Sequence, residues 1–194
     1  MKSDIILAGV GGQGLLSVAA VIGEATRALG LHLKQAEVHG MAQRGGVVQS
    51  HVRISDRPIH SDLVQEGAAD LILSLEPMEA LRYVPFLAPG GALVTNAEPF
   101  VNTPDYPDVS ILLSEIRELP CHRLIDAPAL AKEAGALQSG NMVMLGAGST
   151  FLELPEEALV EAIRTIFSRK SVAVAETNVR AFHLGVQAST AGAG

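Results

Sequence analysis

One cysteine in 194 residues, Cys121, rules out an internal disulfide and a cluster held by four protein thiolates within this chain. Charge is scarce as well: 18% of residues are Asp, Glu, Lys or Arg, against the roughly 25% usual in soluble domains. Hydrophobic residues make up 48%. That apolar excess fits an alanine-rich α/β domain or a surface seated against partner subunits. With 14 basic and 21 acidic residues the net charge is −7, which argues against bulk nucleic-acid binding by phosphate neutralisation. No apolar run approaches the roughly 18 residues that span a bilayer. Met1-Lys2-Ser3-Asp4 moves straight into a short apolar strand with no basic-then-apolar leader, so a cytoplasmic protein is expected. There is no Gly-x-Ser-x-Gly elbow and no Gly-x-x-x-x-Gly-Lys-Ser/Thr phosphate loop. The six histidines show neither His-x-x-x-His nor mixed Cys/His spacing, so no metal site is expected. Cys121 reads as a small buried side chain, and no catalytic residue is assigned.

What is present is an alternation of strands and helices. Residues 4–9 read as a short, fully buried strand. Residues 13–29 read as a helix with Leu15, Leu16, Val18, Ala19, Val21 and Ile22 available to the sheet, ended by Gly30. A second strand at 31–38 completes a βαβ-like opening. Residues 47–54 alternate, with Val48, Val52 and Ile54 on one face and Gln49, His51 and Arg53 on the other, as in a strand with one wet or functional face. A strand at 70–75 and a helix after Pro77 follow, then a Gly90-Gly91 turn into a strand at 92–95. Residues 98–107, with Pro99, Pro104 and Pro107, read as an irregular connection. A helix at 110–118 and a strand at 122–125 lead to helices at 128–134, 140–149, 155–168 and 172–187. Pro155-Glu156-Glu157 is a good helix start, and residues 141–148 form a small-residue helix suited to close packing. The pattern predicts a single three-layer α/β domain over residues 1–190, with a mostly parallel sheet, a Rossmann-like opening and a helical C-terminal end. Residues 191–194 are expected to form a frayed tail.

Two glycine clusters carry the chemistry. The first strand runs into Gly9-Val10-Gly11-Gly12-Gln13-Gly14, a Gly-x-Gly-x-x-Gly in strand-to-helix context. Such a turn aims backbone N–H groups and a helix N-terminus at a phosphate or carboxylate, or packs strand against helix with no ligand. A dinucleotide fold also places an acid at the end of its second strand, roughly 20 residues on. Glu37 is the candidate, somewhat late. The second cluster is His39-Gly40-Met41-Ala42-Gln43-Arg44-Gly45-Gly46. Around it, between residues 32 and 60, lie His32, His39, His51 and His60 with Lys34, Arg44, Arg53 and Arg57, opposed by Glu37 and Asp56. A cationic patch on an acidic chain suits an anionic ligand or an acidic partner surface. Arg44 before Gly45-Gly46 sets a guanidinium fork beside open N–H groups. The candidate binding or interface residues are therefore Gly9, Gly11, Gly12, Gln13, Gly14, Arg44, Gly45 and Gly46. A stand-alone NAD(P)- or flavin-binding oxidoreductase is the alternative that residues 9–14 and Glu37 support, and a pure interaction module is the third reading.

The first glycine cluster, together with the string from Glu37 to Arg53 that contains Gly40-Met41-Ala42-Gln43-Arg44-Gly45-Gly46, resembles the gamma subunit or domain of 2-oxoacid:ferredoxin oxidoreductases. The likeness is greatest to the small (beta) subunits of the indolepyruvate branch. Residues 141–148 and 178–185 also fit it, so the resemblance covers nearly the whole chain. It implies oxidative decarboxylation of a 2-oxoacid, such as pyruvate, indolepyruvate or ketoisovalerate, to an acyl-CoA, carbon dioxide and reduced ferredoxin. It also implies thiamine diphosphate, magnesium, iron–sulfur clusters and coenzyme A in the complex. This chain has one cysteine and no Gly-Asp-Gly followed by Asn at the spacing used for magnesium and thiamine diphosphate. The resemblance therefore implies an accessory subunit, inactive alone and binding no cofactor alone, beside a larger thiamine- and cluster-bearing partner that passes electrons to ferredoxin. The two glycine clusters would face that partner and the anionic coenzyme A.

Overall fold

β1 (Lys2–Val10) is apolar on both faces because both are covered: Ile5 and Leu7 enter one core, Ile6 and Ala8 the other. The computed structural model describes residues 1–39 and 45–192, with His39 described by its backbone. After β1 come α1 (Leu15–Ala28), β2 (His32–His39), β3 (Val47–Ser55), β4 (Ala69–Ser74), α2 (Pro77–Arg82) and β5 (Leu87–Asn96). Then follow α3 (Val109–Arg117), β6 (His122–Ile125), α4 (Ala127–Ala134), α5 (Gly140–Ser149), α6 (Glu156–Phe167) and α7 (Val172–Ala191). The six strands form one sheet in the order β2-β3-β1-β4-β5-β6. β1, β4, β5 and β6 run parallel, and β3 is antiparallel to both β1 and β2. Helices α1, α4, α5, α6 and α7 pack on one face and α2 and α3 on the other. This is the three-layer α/β domain with a helical end that the sequence predicts.

Three local expectations need correcting. β1, α1 and β2 follow in βαβ order, but β1 and β2 do not pair, because β3 lies between them. β3 carries the fully buried Ile54 and Val52 and needs a neighbour on each side, whereas β2 is largely exposed, with Val38 52% accessible, and tolerates the edge. The Gly90-Gly91 pair is not a turn before a strand. It sits inside β5, where the register against β4 shifts, and a Cβ on Gly91 would stand 2.6 Å from the Ala69 carbonyl oxygen. The final helix is longer than expected: Ala191 is helical and the Gly192 N–H donates to the Ala188 carbonyl at 3.2 Å. Residues 193–194 lie outside the described residues.

The expected close-packing helix is present as α5. A Cβ on Gly146 would come within 1.9 Å of the Phe182 carbonyl oxygen, and one on Gly185 within 1.9 Å of the Val143 carbonyl oxygen. The two helices therefore touch backbone to backbone, with Phe182 fully buried beside the crossing. Cys121 is a free thiol, half-buried against the larger core. No described helix is long and apolar enough to cross a membrane.

Candidate functional site

The chain leaves β1 toward one face of the sheet, through α1, and leaves β4 toward the other, through α2. Opposite exits open a crevice at the carboxyl ends of the two strands, where open α/β sheets bind ligands. The first glycine turn fills the rim of that crevice. Gln13 braces the turn: its Oε1 accepts the Val10 N–H at 2.8 Å and its Nε2 donates to the Leu75 carbonyl at 3.1 Å. A Cβ on Gly9 would stand 2.9 Å from that Oε1 and 3.3 Å from Leu75 Cβ, so strand, turn and neighbouring strand end meet with no room for a side chain. Gly14, at φ +85°, starts α1 with no side-chain cap, and Asn141 Nδ2 donates to its carbonyl at 3.1 Å. Gly12, at φ +103°, has no atom within 4 Å of where a Cβ would stand and faces open space.

The second glycine cluster meets the first directly. The Gly11 N–H donates to the Gly46 carbonyl at 2.8 Å, and the Gly45 N–H to the Gly11 carbonyl at 3.3 Å. Two turns separated by a helix and a strand, α1 and β2, are thus joined backbone to backbone. Gly45 itself sits at φ +78°, and Asn102 Nδ2 donates to its carbonyl at 2.7 Å. Arg44, with Gly40, Met41, Ala42 and Gln43, lies outside the described residues.

Beside the first turn is a cleft of about 400 Å³ whose polar lining includes Gly12, Gly14, Ser17, Asn141 and Lys170. Its apolar lining includes Leu75, Met144 and Phe167. The first turn of α1 holds no acid and Gly14 offers no side-chain cap, so α1 itself does nothing to offset the positive end of its dipole or to pair its leading N–H groups. Asn141 Oδ1 is buried with no hydrogen-bond partner among the described residues. N–H and ammonium donors lie close to an open acceptor, and that arrangement can hold an anion carrying a hydrogen-bond donor nearby. Among the described residues no three His, Cys, Asp or Glu side chains gather to hold a metal ion.

The structure breaks up much of the cationic patch read from the sequence. Arg53 pairs with the buried Asp4, Nε to Oδ1 at 2.7 Å and Nη2 to Oδ2 at 3.1 Å. Its remaining Nη1 donates to the Ser61 and Leu63 carbonyls at 3.1 and 3.3 Å. Burial alone would raise the Asp4 pKa, but hydrogen bonds from Arg53 and Lys2, with their charges, hold it below the usual carboxylate value. His51 is 5% exposed, accepts the Val64 N–H on Nδ1 at 3.1 Å and meets Phe86 edge-on. Burial pushes its pKa down, against the pull of Asp62. The face of β3 expected to be wet is therefore covered at His51 and Arg53 by the segment after it, and these two side chains are spent on the fold. Glu37 also falls away from a ribose-binding position. In register it lies across Ser50 from Leu7, one strand further from the crevice than a dinucleotide fold requires.

Several site residues were not foreseen. Glu76 carries the end of β4 and caps α2, and Glu76-Pro77 is a helix-start signal that shows nothing of what else binds the carboxylate. Asn102, Tyr106, Asn141 and Lys170 carry no local pattern that marks them.

The architecture has counterparts among known proteins. A family model described as pyruvate ferredoxin/flavodoxin oxidoreductase matches residues 4–188. The chain is 34% identical over 201 residues to the indolepyruvate oxidoreductase subunit IorB of Archaeoglobus fulgidus, covering 99% of this chain and 98% of that one. It is 39% identical over 196 residues to the subunit of the same name in Thermococcus kodakarensis, covering 96% and 95%. The gamma subunit of a keto/oxoacid ferredoxin oxidoreductase from Geobacter sulfurreducens PCA has the same fold, with a TM-score of 0.72 and 26% identity over 97% of this chain and 99% of that one. The matched span takes in both glycine turns, all of the sheet but the first two residues of β1, and the α5–α7 crossing, and the chain belongs to the pyruvate ferredoxin/flavodoxin oxidoreductase family, among the small subunits of 2-oxoacid:ferredoxin oxidoreductases.

Proposed function

We propose that this chain is the accessory subunit of a thiamine-diphosphate-dependent 2-oxoacid:ferredoxin oxidoreductase, and that its joined glycine turns face the thiamine-bearing partner and the coenzyme A that reaches it. The observation that carries this reading is the backbone joint of Gly11 with Gly45 and Gly46, set beside a cleft that opens on the uncapped start of α1. The relatives' names point to indolepyruvate within the 2-oxoacid class. The assembled enzyme oxidatively decarboxylates its 2-oxoacid to an acyl-CoA and reduces ferredoxin in the cytoplasm. The iron–sulfur clusters belong to the larger chain, since Cys121 is the only thiol here and cannot complete a four-thiolate set, and so do thiamine diphosphate and magnesium, for which this sequence has no Gly-Asp-Gly followed by Asn.

Coenzyme A fits the residues of this chain. Gly12, Gly14, Ser17 and Lys170 offer N–H, hydroxyl and ammonium donors to a phosphate, and Arg44 adds a guanidinium from the second cluster. Asn141 Oδ1 offers an acceptor to a ligand N–H or O–H. When bound, the coenzyme supplies the thiol that accepts the acyl group, while this chain's residues bind and orient it.

The isolated chain is expected to turn over no 2-oxoacid, with activity returning on addition of the larger subunit from the same host. In the assembled enzyme, Arg44→Ala and Lys170→Ala should each raise the coenzyme A KM about tenfold, the loss of one charge-assisted contact, with assembly checked by gel filtration. Turnover by the isolated chain would sink the accessory reading. An unchanged coenzyme KM in both variants would leave the joined turns as a docking surface alone.

A further inference from the structure

In sequence, residues 98–107 are only a proline-rich connection, yet in the fold they close a ring of hydrogen bonds beside the crevice. Gln13 ties the first glycine turn to the end of β4 at Leu75, 3.1 Å away. Gly11 ties the first turn to the second through Gly45 and Gly46, at 3.3 and 2.8 Å. Asn102 Nδ2 ties the second turn to the connection, donating to the Gly45 carbonyl at 2.7 Å. The connection then returns to the end of β4 at Glu76, whose Oε1 accepts the Tyr106 hydroxyl and, at 3.4 Å, the Phe100 N–H. Four segments far apart in sequence thus hold one another in place.

The anchor of this ring is rigid. Glu76 has no exposed surface, and its other oxygen, Oε2, accepts the Glu79 N–H at 2.8 Å. Burial, then the hydrogen bond and charge of Glu76, push the Tyr106 pKa above the ordinary phenol range, so its hydroxyl stays a donor. Apolar burial does not hold the span between the anchors, because Phe100 is 43% and Val101 66% exposed. Hydrogen bonds hold it, and losing one should let it move.

We infer that Asn102, hung from Glu76 through Tyr106, is a positioning residue that sets where Gly45 and Gly46 stand relative to Gly11 and so shapes the face that meets coenzyme A. The inference rests on the coenzyme reading of that face given above. Its test uses the assembled enzyme with Asn102→Ala and, as the conservative second variant, Tyr106→Phe. Two quantities are read in each: amide hydrogen exchange at Gly11 and Gly45, and KM and kcat with coenzyme A varied.

Losing one net hydrogen bond should speed exchange at both glycines about fivefold and raise the coenzyme KM by a similar factor, with kcat little changed. Amides of the central strands should keep their protection, which separates repositioning from general loosening. Unaltered exchange at Gly11 and Gly45 in both variants overturns the positioning role, and so does faster exchange with an unaltered KM. If Arg44→Ala leaves the coenzyme KM intact while Asn102→Ala raises it, the Arg44 contact proposed above fails and the role of Asn102 stands.

Discussion

At residue scale, the same residue types serve the fold and the site for different reasons. Gly9 is required because Gln13 and Leu75 crowd it, whereas Gly12 faces open space and is free to meet a ligand. The Gly-x-Gly-x-x-Gly spacing takes in Gly9 and passes over Gly12, and says nothing of which one meets open space. His51 and Arg53 make the same point for charge: near Arg44 in sequence they read as part of an anion site, but one is packed under Val64 and the other is paired with Asp4. His51 has a testable consequence. Its folded pKa is depressed below 6.5 by burial, so the neutral form is favoured in the folded state and the unfolded chain takes up the proton first. Its contribution to stability is complete above pH 6.5 and is lost as pH falls through the lower folded value. Denaturant unfolding between pH 7 and 5 should show stability falling with a slope of at most about 1.4 kcal/mol per pH unit, one proton's worth. His51→Asn keeps an acceptor for Val64 and should flatten that slope. Identical slopes in the two proteins would show that His51 is not the group responsible.

Element boundaries were largely legible, because burial on both faces, helix-start signals and small-residue spacing are local properties. α6 begins where Pro155-Glu156-Glu157 indicates, with Pro155 as its cap and both acids in its first turn. The small-residue run at 141–148 became the buried helix α5, but its partner helix was not written in that run. Helix α5 is packed against α7 on one side and the sheet on another, and the two contacts make unequal demands on glycines that look alike in sequence. Gly185→Ala drives a Cβ to within 1.9 Å of the Val143 carbonyl oxygen, fixed backbone that cannot step aside. Gly148→Ala meets the Leu73 side chain at 3.1 Å, which can give. Urea unfolding should show a loss of about 3 kcal/mol or more for the first and about 1 kcal/mol for the second. Equal losses would mean that the crossing is looser than the backbone contact implies. The β5 bulge and the helical reach to Ala191 are not legible locally because each depends on a neighbouring element: the Ala69 carbonyl against Gly91 in one case, Arg123 donating to the Ser189 carbonyl in the other.

At the scale of the whole molecule, strand order decides between the readings that the first glycine turn allows. Insertion of β3 between β1 and β2 moves Glu37 away from the crevice and brings Gly45 and Gly46 against the first glycine turn at its rim. A nicotinamide or flavin dinucleotide then lacks its ribose partner and meets a second backbone turn beside the first. Calorimetry of the isolated chain with NADH, NADPH or FAD should detect no binding tighter than about 1 mM. Micromolar binding of any of them would restore the dehydrogenase reading. The amino-acid sequence by itself determined the class of fold, the two glycine turns and the family, because hydrophobic period, turn chemistry and an uninterrupted motif are carried by neighbouring residues. Only the tertiary structure decided that the two turns are one joined surface, that Asn102 is hydrogen-bonded to it, and that His51 and Arg53 do not belong to it. Those facts depend on strand order and on contacts across tens of residues, which no local spacing encodes.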